Sequence, residues 1–158
     1  MDKKKLLRKK FFFKRKTRYF EIKEKFFYPL IRLIKKECIK KRLNIALYYP
    51  SSYEVNILKI LEIDYFKKLN FLLPVIEKNS INFYKWKKSD VLFLNKYGIP
   101  EPTKSNKVIP DIILVPLIAY DKSKNRLGYG KGFYDKYLHK NTKIGYKILA
   151  VGIAFYFQ

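Results

Sequence analysis

The sequence predicts a three-layer α/β domain with a mostly parallel sheet flanked by helices. Three observations carry that expectation. Short runs of Ile, Leu, Val and Tyr alternate with longer Lys-rich stretches whose apolar residues have helical spacing, the pattern of strand–helix–strand units. One run, 111–119, is apolar almost throughout, as a strand covered on both faces would be. Glycines at alternate positions, Gly128, Gly130 and Gly132, come after it and lead into a segment free of Gly and Pro. That is a strand–turn–helix order.

The elements follow in turn. Residues 2–28 contain no Pro or Gly and mix Lys and Arg with apolar positions, so an amphipathic helix is expected there. Pro29 is expected at a break, with a second helix over 30–41. Residues 44–49 read as the first strand, stopped by Pro50-Ser51-Ser52. Glu54 falls at the junction with a crossover helix over 56–68. The second strand is expected at 71–76, where Pro74 argues for an edge or irregular position. Residues 81–87 alternate as a short strand carrying Trp86. The Pro- and Gly-rich stretch 97–106 is expected to be extended and irregular. After the 111–119 strand and the glycine loop come a helix over 133–140 and a last strand over 148–155.

Composition narrows the function. At 158 residues and 48% hydrophobic, the chain suits one domain that buries roughly two-thirds of its unfolded surface. A single cysteine, Cys38, excludes an internal disulfide framework, and a single His leaves no Cys/His metal spacing. No apolar run is long enough to span a bilayer, and Lys14 interrupts Phe11-Phe12-Phe13 before a signal-peptide core forms. A cytoplasmic protein with no membrane partner is the expectation. Lys and Arg number 36 against 13 Asp and Glu, a net charge of +23, which by itself would suit nucleic acid. The excess is mostly Lys, spread among Ile, Asn, Phe and Tyr, and all these residue types have A- and T-rich codons. No nucleic-acid motif accompanies it. No specific nucleic-acid partner is expected, whereas long-range attraction for small polyanions is.

The chemistry concentrates in Arg126-Leu127-Gly128-Tyr129-Gly130-Lys131-Gly132-Phe133-Tyr134-Asp135. Glycines let main-chain N–H groups approach an anion that side chains would keep away. The helix expected after them would aim its own N-terminal N–H groups at the same anion. No Gly-Lys-Ser/Thr follows at the spacing of a Walker A loop. On pattern alone, a tight basic surface turn stays open as the alternative.

With the flanking run Pro110-Asp111-Ile112-Ile113-Leu114-Val115-Pro116, this block closely resembles the signature of the 5-formyltetrahydrofolate cyclo-ligase family, also called methenyltetrahydrofolate synthetases. Supporting matches occur in order along the chain. They are Lys4-Lys5-Leu6-Leu7-Arg8, Glu54, Leu73-Pro74, Phe83 with Trp86, Gly98-Ile99-Pro100-Glu101-Pro102, and Gly152-Ile153-Ala154-Phe155 with Gln158. The resemblance implies one Rossmann-like domain over 1–158, and a monomer is the expectation. It implies an enzyme that uses ATP and Mg²⁺ to cyclise 5-formyltetrahydrofolate to 5,10-methenyltetrahydrofolate, phosphorylating the formyl oxygen and releasing ADP and phosphate.

Residue roles come with the resemblance. Lys4, Lys5, Leu6, Leu7 and Arg8 would meet the nucleotide, as would Arg126, Leu127, Gly128, Tyr129, Gly130, Lys131, Gly132, Phe133 and Tyr134. Arg126 and Lys131 would neutralise charge on the transferring phosphoryl group, the main task in such chemistry. Asp135 would be a Mg²⁺ ligand, a carboxylate beside phosphates being the usual arrangement. Arg8, Tyr49, Glu54 and Trp86 would contact the folate: Glu54 suits adjacent pterin N–H donors, and Trp86 would stack on a ring. Relatives continue past the match to Gln158 with a strand region that carries another acidic residue. The comparison therefore implies that these 158 residues lack an edge strand and one metal contact. Two other readings stay open: a truncated relative that binds folate or nucleotide with weak catalysis, and a basic RNA-binding domain.

Overall fold

The computed structural model describes residues 2–38 and 42–158. Helix α1 (Lys3–Thr17) is capped by Asp2, whose side chain accepts from the Lys4 N–H. It stops eleven residues short of the expected end at residue 28. Beyond it Tyr19 and Phe20 turn inward to pack on Phe155, with ring centroids 5.8 and 4.8 Å apart. Buried Ile22 and Phe27 fix the extended segment and the 3₁₀ turn (Glu24–Phe27) that follow. Pro29 does not break a helix. It sits in the first turn of α2 (Tyr28–Glu37), where a missing N–H costs nothing. The expected continuation over 39–41 lies outside the described residues.

Strand β1 (Asn44–Ala46) is shorter than expected, although Leu47 continues it by donating to the Leu72 carbonyl at 2.9 Å. The crossover that follows is not α-helical. It forms two 3₁₀ turns, Ile57–Glu62 and Asp64–Phe66. The reason is legible in the spacing: Ile57, Ile60, Ile63 and Phe66 are all buried and stand every third residue. Three residues per turn keep that set on one face, whereas an α-helix would rotate it away.

Strand β2 (Asn70–Glu77) pairs with β1 in parallel and with β3 (Ser80–Lys85) in antiparallel. Pairing with β1 ends at Leu72, so Pro74 interrupts no ladder on that side. Two residues on, the Ile76 N–H is taken by the Glu101 carboxylate at 2.8 Å. A small hairpin of β4 (Phe93–Leu94) and β5 (Pro100–Glu101) interrupts the stretch expected to be irregular. The apolar run divides: β6 (Ile112–Pro116) is buried throughout, and β7 (Ala119–Tyr120) turns off to pair with β8 (Arg126–Leu127). Helix α3 (Phe133–Lys143) and β9 (Leu149–Ile153) complete the order.

The five-stranded sheet runs β3-β2-β1-β6-β9, parallel except for β3. Alternation divides its side chains between two cores. Ile45, Leu47, Leu73, Ile112 and Leu114 pack with Phe27, Ile34 and the crossover residues on one face. Ala46, Leu72, Ile113 and Val115 meet Phe83 and Tyr137 of α3 on the other, where Phe83 and Tyr137 contact edge-on at 4.9 Å. The expected three layers are thus present. Each large apolar side chain so covered contributes about 1.5–3 kcal/mol.

Candidate active site

A cleft of about 610 Å³ opens beyond the carboxyl ends of β1 and β6, where parallel α/β sheets place their ligands. Four pieces of chain build it: the first turns of α1, the loop after β1, the β4–β5 hairpin, and the glycine loop between β8 and α3. Pro74, Ile76 and Ile81 give it an apolar floor.

The β7–β8 hairpin delivers the glycine loop. Gly130 and Gly132 lie at φ of 102° and 68°, where an L-residue is strained. Gly132 also caps α3 and, having no side chain, makes no cap bond to the first N–H groups of that helix. Arg8 fastens the loop to α1: its Nε donates to the Gly128 carbonyl at 2.9 Å, and its guanidinium lies against Gly130. Arg126 and Asp135 form an ion pair, with Nη2 at 2.7 Å and Nε at 3.1 Å from Oδ1. Arg126 also stands over the Tyr134 ring.

Beside the glycine loop, the Glu54 carboxyl is buried. One carboxylate oxygen accepts from the Tyr129 hydroxyl and the other from the Ser51 N–H at 2.9 Å. Burial raises its pKa above the ordinary glutamate value, and the bonds from Tyr129 and Ser51, with the Arg15 charge, oppose that rise only in part. Burial and the nearby Glu54 charge push the phenols of Tyr48, Tyr129 and Tyr134 upward, so all three stay protonated at neutral pH. Arg15 is only 1% exposed. Its Nη2 donates to the Tyr129 hydroxyl and the Ser52 carbonyl, both at 2.7 Å, and Nη1 reaches the Leu117 carbonyl at 3.2 Å.

Most residues expected at the site meet here. Lys4, Arg8, Tyr49 and Glu54 line the cleft together with the whole stretch 126–135. Lys5, Leu6 and Leu7 do not reach it: they share the helix with Lys4 and Arg8 but not the facing stripe. Trp86 is also absent from the wall. It is buried in the core with Leu73 and Phe66, and its indole N–H has no partner among the described residues. Tyr97, on the β4–β5 hairpin, joins Tyr49 among the aromatic residues that line the cleft, and sequence reasoning missed it. Arg15 was missed as well, hidden in a run of cations. One signal could have found it, since seven residues place it on the same helix face as Arg8.

Among the described residues no cluster of three or more His, Cys, Asp or Glu side chains could cage a metal ion. Asp135, on the cleft wall beside the glycine loop, suits a cation that takes its other ligands from phosphate oxygens and water, as Mg²⁺ does. No helix of the described residues is long and apolar enough to cross a membrane.

Comparison with known proteins extends this picture. A profile of the 5-formyltetrahydrofolate cyclo-ligase family matches residues 2–158. The chain is 32% identical over 123 residues to the 5-formyltetrahydrofolate cyclo-ligase of Haemophilus influenzae, covering 73% of this chain but 65% of that relative. It thus matches less than two thirds of the relative's length. Among solved structures, the 5,10-methenyltetrahydrofolate synthetase of Aquifex aeolicus superposes with a TM-score of 0.72 at 32% identity, covering 98% of this chain and 79% of that one. The 5,10-methenyltetrahydrofolate synthetase of Mycoplasma pneumoniae gives a TM-score of 0.62 at 26% identity, covering 89% and 79%.

Proposed function

The chain belongs to the 5-formyltetrahydrofolate cyclo-ligase family, and from that premise we propose that it closes 5-formyltetrahydrofolate to 5,10-methenyltetrahydrofolate at the expense of ATP, with Mg²⁺. The observation that carries the proposal is the sharing of one cleft by the glycine loop, Arg8 and Glu54. An anion site and a hydrogen-bonding site for a pterin adjoin there, linked by the Tyr129–Glu54 hydrogen bond.

A formyl oxygen is a poor leaving group. Bound with Mg²⁺ beside the loop, ATP supplies a γ-phosphoryl group to that oxygen. The neighbouring folate nitrogen then attacks the formyl carbon and gives up its proton. The carbon–oxygen bond breaks, and ADP and phosphate are the other products. The protein's part is positioning and charge neutralisation. Lys131 and the N–H groups of the loop and of the first turn of α3 face the phosphates. Lys4 and Arg8 close the cleft from α1. A bound phosphate would compete with Asp135 for Arg126, and Asp135 would then be a residue that holds Mg²⁺. Glu54 accepts from the pterin N–H groups while Tyr49 and Tyr97 flank the rings. The apolar floor of Pro74, Ile76 and Ile81 displaces water from the reacting atoms.

Incubation with ATP, Mg²⁺ and 5-formyltetrahydrofolate tests the proposal: the ultraviolet absorbance of methenyltetrahydrofolate should grow with stoichiometric ADP. A folded sample that binds ATP but forms no product would refute it.

A further inference from the structure

We infer that Arg15 is the positioning residue of the folate wall, and that it acts by holding Glu54 through Tyr129 and by holding the loop backbone at Ser52. The inference rests on the folate reading of the cleft and goes beyond it, since Arg15 lies behind the cleft wall.

Three observations converge. First, a guanidinium that is 1% exposed is costly unless an acid compensates it. Among the described residues the acid in its network is Glu54, with the Tyr129 hydroxyl as the relay: Arg15 Nη2 donates to that hydroxyl at 2.7 Å, and the hydroxyl donates to Glu54. Second, Ser52 and Tyr53 are both left-handed, at φ of 50° and 62°, without being glycine. Such backbone persists only where surroundings impose it. Arg15 imposes it by donating to the Ser52 carbonyl at 2.7 Å. Third, the network crosses three elements distant in sequence: α1, the loop after β1, and the glycine loop. One fork of donors therefore fixes the folate side relative to the nucleotide side, a task that suits Arg and not Lys.

The groups facing Glu54 are few: Arg15 from α1, Tyr129 from the glycine loop, Tyr134 from α3, Tyr48 from the end of β1, and Ser51 from its own loop. Among the described residues, Arg15 is the cation of this set. Burial raises the Glu54 pKa, and Arg15 with Tyr129 restrains the rise. Loss of either partner moves the pKa further up. The carboxylate would then accept a proton at a pH where the wild type stays ionised. Neutral Glu54 loses acceptor capacity for a pterin.

The test uses Tyr129→Phe, Arg15→Lys and Arg15→Met in the full chain. Tyr129→Phe removes one hydroxyl and keeps the packing. It should raise the KM for 5-formyltetrahydrofolate about tenfold or more, the scale of a hydrogen bond to a charged group, and by a larger factor than the KM for ATP. The acid limb of kcat/KM should move to higher pH in Tyr129→Phe and Arg15→Met, and less in Arg15→Lys, which keeps the charge. Carbon-13 titration of the Glu54 carboxyl in the ligand-free protein should show the same order. A Tyr129→Phe protein with unchanged folate KM and unchanged Glu54 titration would overturn the inference. So would an Arg15→Met protein that is only less heat-stable. Failure of the proposed function would show instead as absent turnover in the wild type, while the carboxyl titration would still report on Arg15 and Tyr129.

Discussion

Replacing Gly130 with Ala separates a backbone cradle from a mere basic turn. The added Cβ would stand 3.5 Å from Arg8 Cζ, an ordinary contact, so crowding is not the issue. The backbone is: φ of 102° costs an L-residue about 1–3 kcal/mol. In a domain of this size that corresponds to a fall in Tm of roughly 2–12 °C. Gly145, between α3 and β9, provides an internal control. It has φ of 91°, a Cβ there would meet nothing within 4 Å, and it does not line the cleft. Gly130→Ala and Gly145→Ala should therefore lose similar Tm in a thermal melt. Calorimetry with ATP should divide them. Relief of the strain at position 130 turns the neighbouring N–H groups away from the phosphates, which should weaken ATP at least tenfold, about 1.4 kcal/mol. Gly145→Ala should stay within about twofold of wild type. Equal weakening in both variants, or unaltered ATP binding in Gly130→Ala, would refute an anion site built from main-chain N–H groups.

Other expectations can be tested with the same assays. Lys131→Ala should lower turnover about a hundredfold, the scale of removing one donor from a developing charge; unaltered turnover would make the side chain a solvent-facing bystander. Asp135→Asn breaks a partly exposed ion pair with Arg126 and should change stability by no more than about 1 kcal/mol. The Mg²⁺ concentration giving half-maximal rate should nonetheless rise at least tenfold, and an unchanged Mg²⁺ dependence would contradict its assignment. Trp86→Phe should cost about 1–2 kcal/mol in denaturant unfolding through the space it leaves, with folate KM unaltered. Tyr97→Ala should do the reverse, raising folate KM with little loss of stability, and the opposite pattern would return the stacking role to Trp86.

The sequence by itself determined the class of fold and the glycine-loop motif. These are local matters. The continuous apolar run that became β6 needs cover on both faces, and alternate glycines before a helix admit few backbone paths. The family resemblance also named residues that the fold brings together, since Lys4, Arg8, Glu54 and residues 126–135 share one cleft. What the sequence reading misjudged were the places where tertiary contacts outweigh local preference. An every-third-residue set of Ile57, Ile60, Ile63 and Phe66 met a flat apolar face and wound as 3₁₀ turns. The Phe155 ring drew Tyr19 and Phe20 out of the helix that preceded them.

Only the folded chain could put Trp86 in the core and Tyr97 on the cleft wall, or single out Arg15 among so many cations. An aromatic residue carries the same pattern whether it fills a core or a cleft wall, because the hydrophobic effect has no direction. A guanidinium in a basic helix looks solvated until three carbonyl and hydroxyl oxygens from distant segments converge on it. That convergence is a property of the packed structure, where charge is tolerated only when partners surround it.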